Sequence, residues 1–162
     1  MTCAVAAALV EMAAGFSGAA GADEAAGVRA AVLRDRALEL ADLDLHSYGP
    51  VLTALRLDAD DPRRSEAVAQ ARSGAAEVPC ELARIGAEVS ALAARMAERA
   101  SRHVVGDATT AAVLAEAACR AAAVLVALNL RGALDERPTQ AAEWAGDADV
   151  ARRSALSKAH ES

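Results

Sequence analysis

Apolar residues in this chain recur at helical spacing, and the run over residues 37–55 is the most informative. At about 100° per residue, Leu33, Ala37, Leu40, Asp44, Tyr48, Val51 and Leu55 fall on one stripe. Asp44 is therefore expected to point where Leu33 and Leu40 point, into a core or a cleft. Asp42 falls on the opposite side with Asp35, Glu39 and His46 and reads as solvated. Burying a carboxylate costs several kcal/mol unless it is paired, hydrogen-bonded or protonated. Two reasons are open for Asp44: an ion pair with Arg84 or Arg120 from a neighbouring helix, or catalysis or ligand binding.

The same periodicity predicts a first helix over residues 2–16, ended by the glycine-containing segment 17–23. Asp23 is expected to cap a second helix reaching to about Leu57. Gly49-Pro50 lies inside that pattern and should kink it just after Tyr48, because proline removes a donor. Residues 58–62 close it, with Asp61 as N-cap and Pro62 as first residue of a third region running to about Arg102. Val78-Pro79 kinks or splits that region. After a short connection, residues 101–107, a strongly apolar helix runs from Asp107 through Leu130. It is expected at the centre of the fold or at a subunit interface. Pro138 opens a last helix to about Ser157, and residues 158–162 are expected to fray. No repeat or second domain is evident, so residues 1–162 read as a single domain, a bundle of about five helices.

Composition narrows the class. Hydrophobic residues are 54% of the 162, but much of that is alanine, and aromatics are only 2%. Phe16, Tyr48, Trp144 and Ile85 are each the sole residue of their kind. Sheets need β-branched and aromatic residues, whereas Ala, Leu, Glu and Arg favour helix, so the fold is expected to be all-α. An alanine core gives little burial per residue, which makes dimerisation expected.

The net charge of −6 and pI near 5.1 argue against nucleic acid as a partner. Arg63-Arg64 and Arg152-Arg153 are isolated pairs, too short for a polybasic membrane patch. No Lys or Arg precedes Arg29 and Glu11 interrupts the apolar start, which argues against a signal peptide. No uninterrupted apolar stretch reads as long enough to span a bilayer. Cys3, Cys80 and Cys119 are odd in number and widely spaced, and read as reduced thiols in a cytoplasmic protein.

Several chemistries are excluded by motif. The glycines near residues 15–27 form no phosphate loop, there is no Gly-x-Ser-x-Gly elbow, and His46, His103 and His160 share no metal-ligand spacing with the cysteines. Asp107, in Gly-Asp-Ala-Thr-Thr, reads first as the N-cap of the apolar helix. A helix start beside a short loop also suits an anion or a proton-transfer group. Asn129 lies 22 residues further on, roughly 33 Å at about 1.5 Å per residue. The two cannot serve one site within a protomer and could meet only across a dimer. Asn129 reads more simply as a helix C-cap or an interface hydrogen-bonder.

Taken in order, four segments resemble the cyclodeaminase/cyclohydrolase family. AVAAALVEMAAGF (4–16) is similar to its Ala-rich first helix, and ADLDLHSYGPVLTAL (41–55) to its Asp-x-Asp stretch, with Tyr48 at the aromatic position. RRSEAVAQARSGAAEVPCELA (63–83) resembles its Val-Pro segment, and GDATTAAVLAEAACRAAAVLVALNL (106–130) its Ser-Asp helix ending in Asn-Leu. The resemblance implies an all-helical homodimer and folate chemistry: closure of 5-formiminotetrahydrofolate with loss of ammonia, or hydrolysis of the 5,10-methenyl bridge. It implies Asp42, Asp44 and Asp107 as catalytic positions, with Asp44 transferring a proton and Asp107 balancing charge on the pterin. Tyr48, His103 and Asn129 are implied as ligand-binding, a tetrahydrofolate derivative as substrate, and no metal.

This chain also departs from the family pattern. Met1-Thr2-Cys3 stands where the family has a Pro-Gly-Gly-Gly-Ser loop, so either an upstream start or a missing substrate loop is expected. Ser101–Asp107 lacks the two asparagines and the serine of the family loop, and Leu125–Leu130 keeps one asparagine of two. A catalytically inactive relative, acting as a small-ligand-binding or helical assembly protein, is the alternative expectation.

Overall fold

The computed structural model describes residues 1–16 and 22–161, the side chains of Ala22 and Asp23 excepted; the glycine-containing end expected for the first helix and the side-chain cap expected of Asp23 lie outside what is described. Among these there are seven helices: α1 (Thr2–Phe16), α2 (Ala22–Ser47), α3 (Gly49–Leu55), α4 (Arg64–Ala75), α5 (Glu77–Arg99), α6 (Val105–Asn129) and α7 (Arg137–Glu161). The fold is all-α, as composition requires. Five helical regions become seven helices because both proline-marked breaks are complete. Pro50 sits in the first turn of α3, where its missing N–H is no loss, and α2 stops before it. Pro79 sits likewise in the first turn of α5, and the break falls at Ala76, whose N–H returns to the carbonyls of Arg72 and Ser73.

Three expected ends shift. Regular helix in α4 begins at Arg64 rather than Pro62, although the Asp61 carboxylate still accepts the Arg63 N–H at 2.8 Å in the turn before it. α6 begins at Val105, so Asp107 is not its N-cap; the residue before the helix is Val104, with no side-chain cap. Residues 158–161 do not fray: α7 runs to Glu161, where Lys158 pairs with that residue at 3.4 Å.

Alanine sets how the helices pack. A Cβ added at Gly86 of α5 would lie 2.8 Å from the Cβ of Cys119 and 3.0 Å from the Ala115 carbonyl oxygen of α6. The α5–α6 contact is thus closer than any side chain at residue 86 permits. Around it the buried residues form two clusters. The larger joins α1, α2, α5 and the first half of α6, with Leu33, Leu40, Ile85, Leu92 and Met96 among many alanines. The smaller joins the start of α5, the end of α6 and α7, through Ala83, Cys119, Val126, Leu130 and Ala141, with Trp144 packed against it. A buried alanine methyl contributes roughly 0.8 kcal/mol against about 1.5–3 for a leucine or isoleucine side chain, so close approach does the work that bulk does elsewhere. Ser90 adds a polar link, its hydroxyl donating to the Ala148 carbonyl of α7 at 3.1 Å.

By length and composition α6 is apolar enough to cross a membrane, contrary to the expectation that no stretch is. In this fold 44% of its most apolar window is buried inside the bundle, against α1, α5 and α7. α3 and α4 form a hairpin that packs mainly on itself; α4 buries only Ala75.

Candidate functional site

α2 lies along α5 in the opposite direction, held by Arg29–Glu88 at 2.6 Å and Arg36–Glu81 at 2.8 Å. Hydrogen bonds from the two guanidiniums hold both carboxyls below the usual glutamate value. Past Leu40 the stripe runs out of neighbours. Leu33, Ala37 and Leu40 are buried, but Asp42, Leu43, Asp44, Leu45 and His46 are exposed. The expected burial of Asp44 is therefore wrong: its helix overhangs the bundle, and the stripe is covered again only at Val51, within the hairpin. Neither expected arginine reaches it, for Arg84 pairs with Glu81 and Glu88, and Arg120 with Glu116. Asp44 instead accepts the Ser47 hydroxyl at 3.3 Å, and its carbonyl accepts it at 3.0 Å. The buried carboxylate is Glu116 in α6, set between Arg120 and Arg152, the latter at 4.0 Å.

The implied site residues fall into two groups. The antiparallel α2–α5 pairing puts the end of α2, with Asp42, Asp44 and Tyr48, toward the α4–α5 junction. Asn129 lies there too, its amide donating to the Ala75 carbonyl at 3.2 Å. This ties the end of α6 to α4 within the protomer, in place of the expected helix C-cap or subunit-interface bond. Asp107 and His103 lie at the other end of α6. Asp107 is half-buried in the first turn, where the helix dipole favours a carboxylate, and His103 is exposed in the preceding loop. With α6 unbroken, roughly 33 Å separates Asp107 from Asn129, and one protomer does not bring the groups together.

Two clefts flank α4 on opposite faces. One, of about 740 Å³ and mostly apolar, lies between α3 and α4 and is lined by Pro50, Thr53, Ala54, Leu57, Ala71 and Ser47, the partner of Asp44. The other, of about 550 Å³, lies between α4 and the turn after α6, and presents Arg64, Arg72, Asn129 and Arg131. Both volumes fall in the range of small-molecule sites. Tyr48, half exposed, stands at the α2–α3 hinge.

Sequence reasoning missed the arginine cleft and Glu116. Arg64 and Arg72 are eight residues apart and so share a face of α4, while Glu116 and Arg120 have the i, i+4 spacing of a helical ion pair. Those signals were present; which helix faces them was not. Burial pushes the Cys3 thiol up to about 11 and the Cys119 thiol up to about 12, as suits packing residues. Among the described residues, no three His, Cys, Asp or Glu side chains converge where a metal could sit.

The family described as formiminotransferase-cyclodeaminase matches over residues 1–145. No curated protein matches the chain in sequence. Among solved structures, formiminotetrahydrofolate cyclodeaminase from Thermotoga maritima superposes with a TM-score of 0.73 at 21% identity. The match covers 99% of this chain and 82% of that one, and shows a shared fold.

Proposed function

This chain belongs to the formiminotransferase-cyclodeaminase family, and from that membership we propose that it processes a tetrahydrofolate derivative at the one-carbon bridge, in the cytoplasm and as a homodimer. The carrying observation is the family match over residues 1–145, with a shared fold beside it. In cyclodeamination the amine nitrogen outside the pterin ring bonds to the formimino carbon and gives up its proton, a carboxyl group passes a proton to the formimino nitrogen, and the bond to that nitrogen breaks so that it leaves as ammonia. In hydrolysis, water adds to the cationic methenyl carbon while a carboxylate accepts its proton. Asp44 is the carboxylate assigned to proton transfer, with Asp42 beside it and Asp107 balancing the pterin charge. The mostly apolar α3–α4 cleft next to Ser47 is the place proposed for the flat ring, with Tyr48 at its hinge. His103 and Asn129, at the two ends of α6 and outside that cleft, are assigned to ligand contact through the second copy.

Dimerisation is integral to this reading, because one protomer separates Asp44 from Asp107. The exposed apolar residues Val124, Leu125 and Leu128 of α6, with Val28, Val32 and Leu43 of α2, supply surface for a second copy. Light scattering on the purified chain checks the mass. The reaction is tested by near-ultraviolet absorbance of 5,10-methenyltetrahydrofolate. Absorbance rises if the formimino substrate is closed and falls if the bridge is hydrolysed, and Asp44→Asn and Asp107→Asn should abolish either change. A chain that produces neither change with either substrate sinks the enzyme reading.

The exposure of Asp44 and its distance from Asp107 favour a second reading, a relative that binds such a ligand without turning it over. Saturable binding of tetrahydrofolate without turnover distinguishes it.

A further inference from the structure

We propose that the cleft between α4 and the turn after α6 is a binding site for a small, multiply charged anion, a polycarboxylate or a phosphate ester, held by Arg64, Arg72 and Arg131. The chain carries a net charge of −6, yet this cleft is locally positive. Its two carboxylates are already engaged: Asp61 by Arg63 at 2.9 Å and Asp135 by Arg137 at 2.7 Å. Asp58 and Asp60 line the neighbouring hollow with Arg63 instead. That leaves three guanidiniums without an ion pair among the described residues. Arg64 spends only its Nε, on the Leu57 carbonyl at 3.2 Å, so its terminal nitrogens stay available. Guanidinium forks match carboxylate and phosphate oxygens in pairs, and charge-assisted bonds of this kind are about twice as strong as neutral ones.

The spacing selects the ligand. Arg64 and Arg72 are about 12 Å apart along α4, too far for one carboxylate, so an elongated or multiply charged molecule fits better than a simple monoanion. Arg131 closes the third side. The turn over residues 130–133 is locked by the Ala133 N–H to the Leu130 carbonyl at 3.0 Å, with Gly132 at φ +81°. Its geometry is that of a type II turn, and it sets Arg131 at the exposed corner. Ser73 accepts from Arg137 at 2.7 Å, which frees its own proton to donate. The negative end of α6 faces the same cleft and opposes an anion, so binding here is led by the guanidiniums alone.

Isothermal titration calorimetry of the full chain with citrate, triglutamate and inorganic phosphate, at low and high salt, tests this. Saturable binding of one molecule per chain is expected, weakened by salt. Arg64→Ala and Arg72→Ala should each weaken it about tenfold or more. Arg72→Lys should recover part of the loss, and Arg95→Ala, on α5 outside the cleft, should change nothing. Binding of citrate and triglutamate alone identifies a carboxylate ligand, and binding of phosphate alone a phosphorylated one. Circular dichroism checks each variant; if an α4 variant unfolds, Arg131→Ala on the exposed turn must show the same loss. No saturable heat with any of the three anions, or affinity unchanged in the Arg64→Ala/Arg72→Ala double variant, overturns the site. None of these probes requires turnover of a folate, so the outcome stands apart from that of the reaction assay.

Discussion

The bundle and the α3–α4 hairpin draw on the same alanine-rich sequence and are held by different means. Where α5 meets α6, Gly86 lies so close to Cys119 that any side chain would clash. Neighbouring helices then bury alanine after alanine. α4 buries one residue, and polar tethers hold its end: the Asn129 amide on Ala75, and the Arg137 guanidinium on the carbonyl and hydroxyl of Ser73 at 3.1 and 2.7 Å. Backbone proximity stabilises the first region and a few hydrogen bonds the second. The element that carries both clefts is thus the one with least apolar anchorage, and low local stability is where binding segments are usually found.

The largest effect that separates the two regions is expected from Gly86→Val. Overpacking the α5–α6 contact should cost about 3 kcal/mol, or roughly 6–12 °C in Tm for a chain of this size, read by urea and thermal unfolding. A loss below about 0.5 kcal/mol would show that the helices separate freely. Next comes Glu116→Ala, which removes the buried carboxylate between Arg120 and Arg152 and leaves them only the partly exposed Asp149 to share. A destabilisation of about 1–2 kcal/mol is expected, less than for a fully enclosed pair because Arg120 is largely exposed, and smaller still for Glu116→Gln.

Acid sharpens the contrast. Glu81 and Glu88, on the α2–α5 seam, titrate below their ordinary value of 4.5 in the fold. Their contribution is whole above that value and lost as pH falls through the lower folded one. Asp135, hydrogen-bonded by the side chain and the N–H of Arg137, is held down at about 2. Its contribution is whole above about 3.8, and the hairpin tether lasts to about pH 2. Urea midpoints followed down the pH scale should fall first from loss of the seam. Exchange protection at the end of α4 should vanish only near pH 2, and the reverse order would contradict these assignments. The smallest effect belongs to Asp44→Asn. An exposed carboxylate with one hydroxyl partner should change stability by less than about 0.5 kcal/mol, so any loss of activity in that variant reports chemistry rather than folding.

Much of the fold was legible from residue pattern. Thr2–Phe16 emerged as expected, and both proline breaks followed from a missing N–H that no tertiary context could restore. The candidate site was less legible. Periodicity placed Asp44 correctly on the stripe of Leu33 and Leu40, but a stripe does not say where the helices covering it end. Glu116 sits in a run so apolar that it reads as an interruption, until α7 brings Arg152 against it. The arginine cleft needs the α6–α7 turn to fold back on α4, a meeting of residues some sixty positions apart that no local spacing encodes.

Trp144 packs on the smaller core cluster and Tyr48 stands at the α2–α3 hinge, and each is the sole residue of its kind. The protein therefore carries a natural donor and acceptor for resonance energy transfer, one on the rigid body and one at the root of the loosely anchored arm. Movement of that arm when a ligand enters either cleft can be followed in the native chain by its own emission, with no label attached.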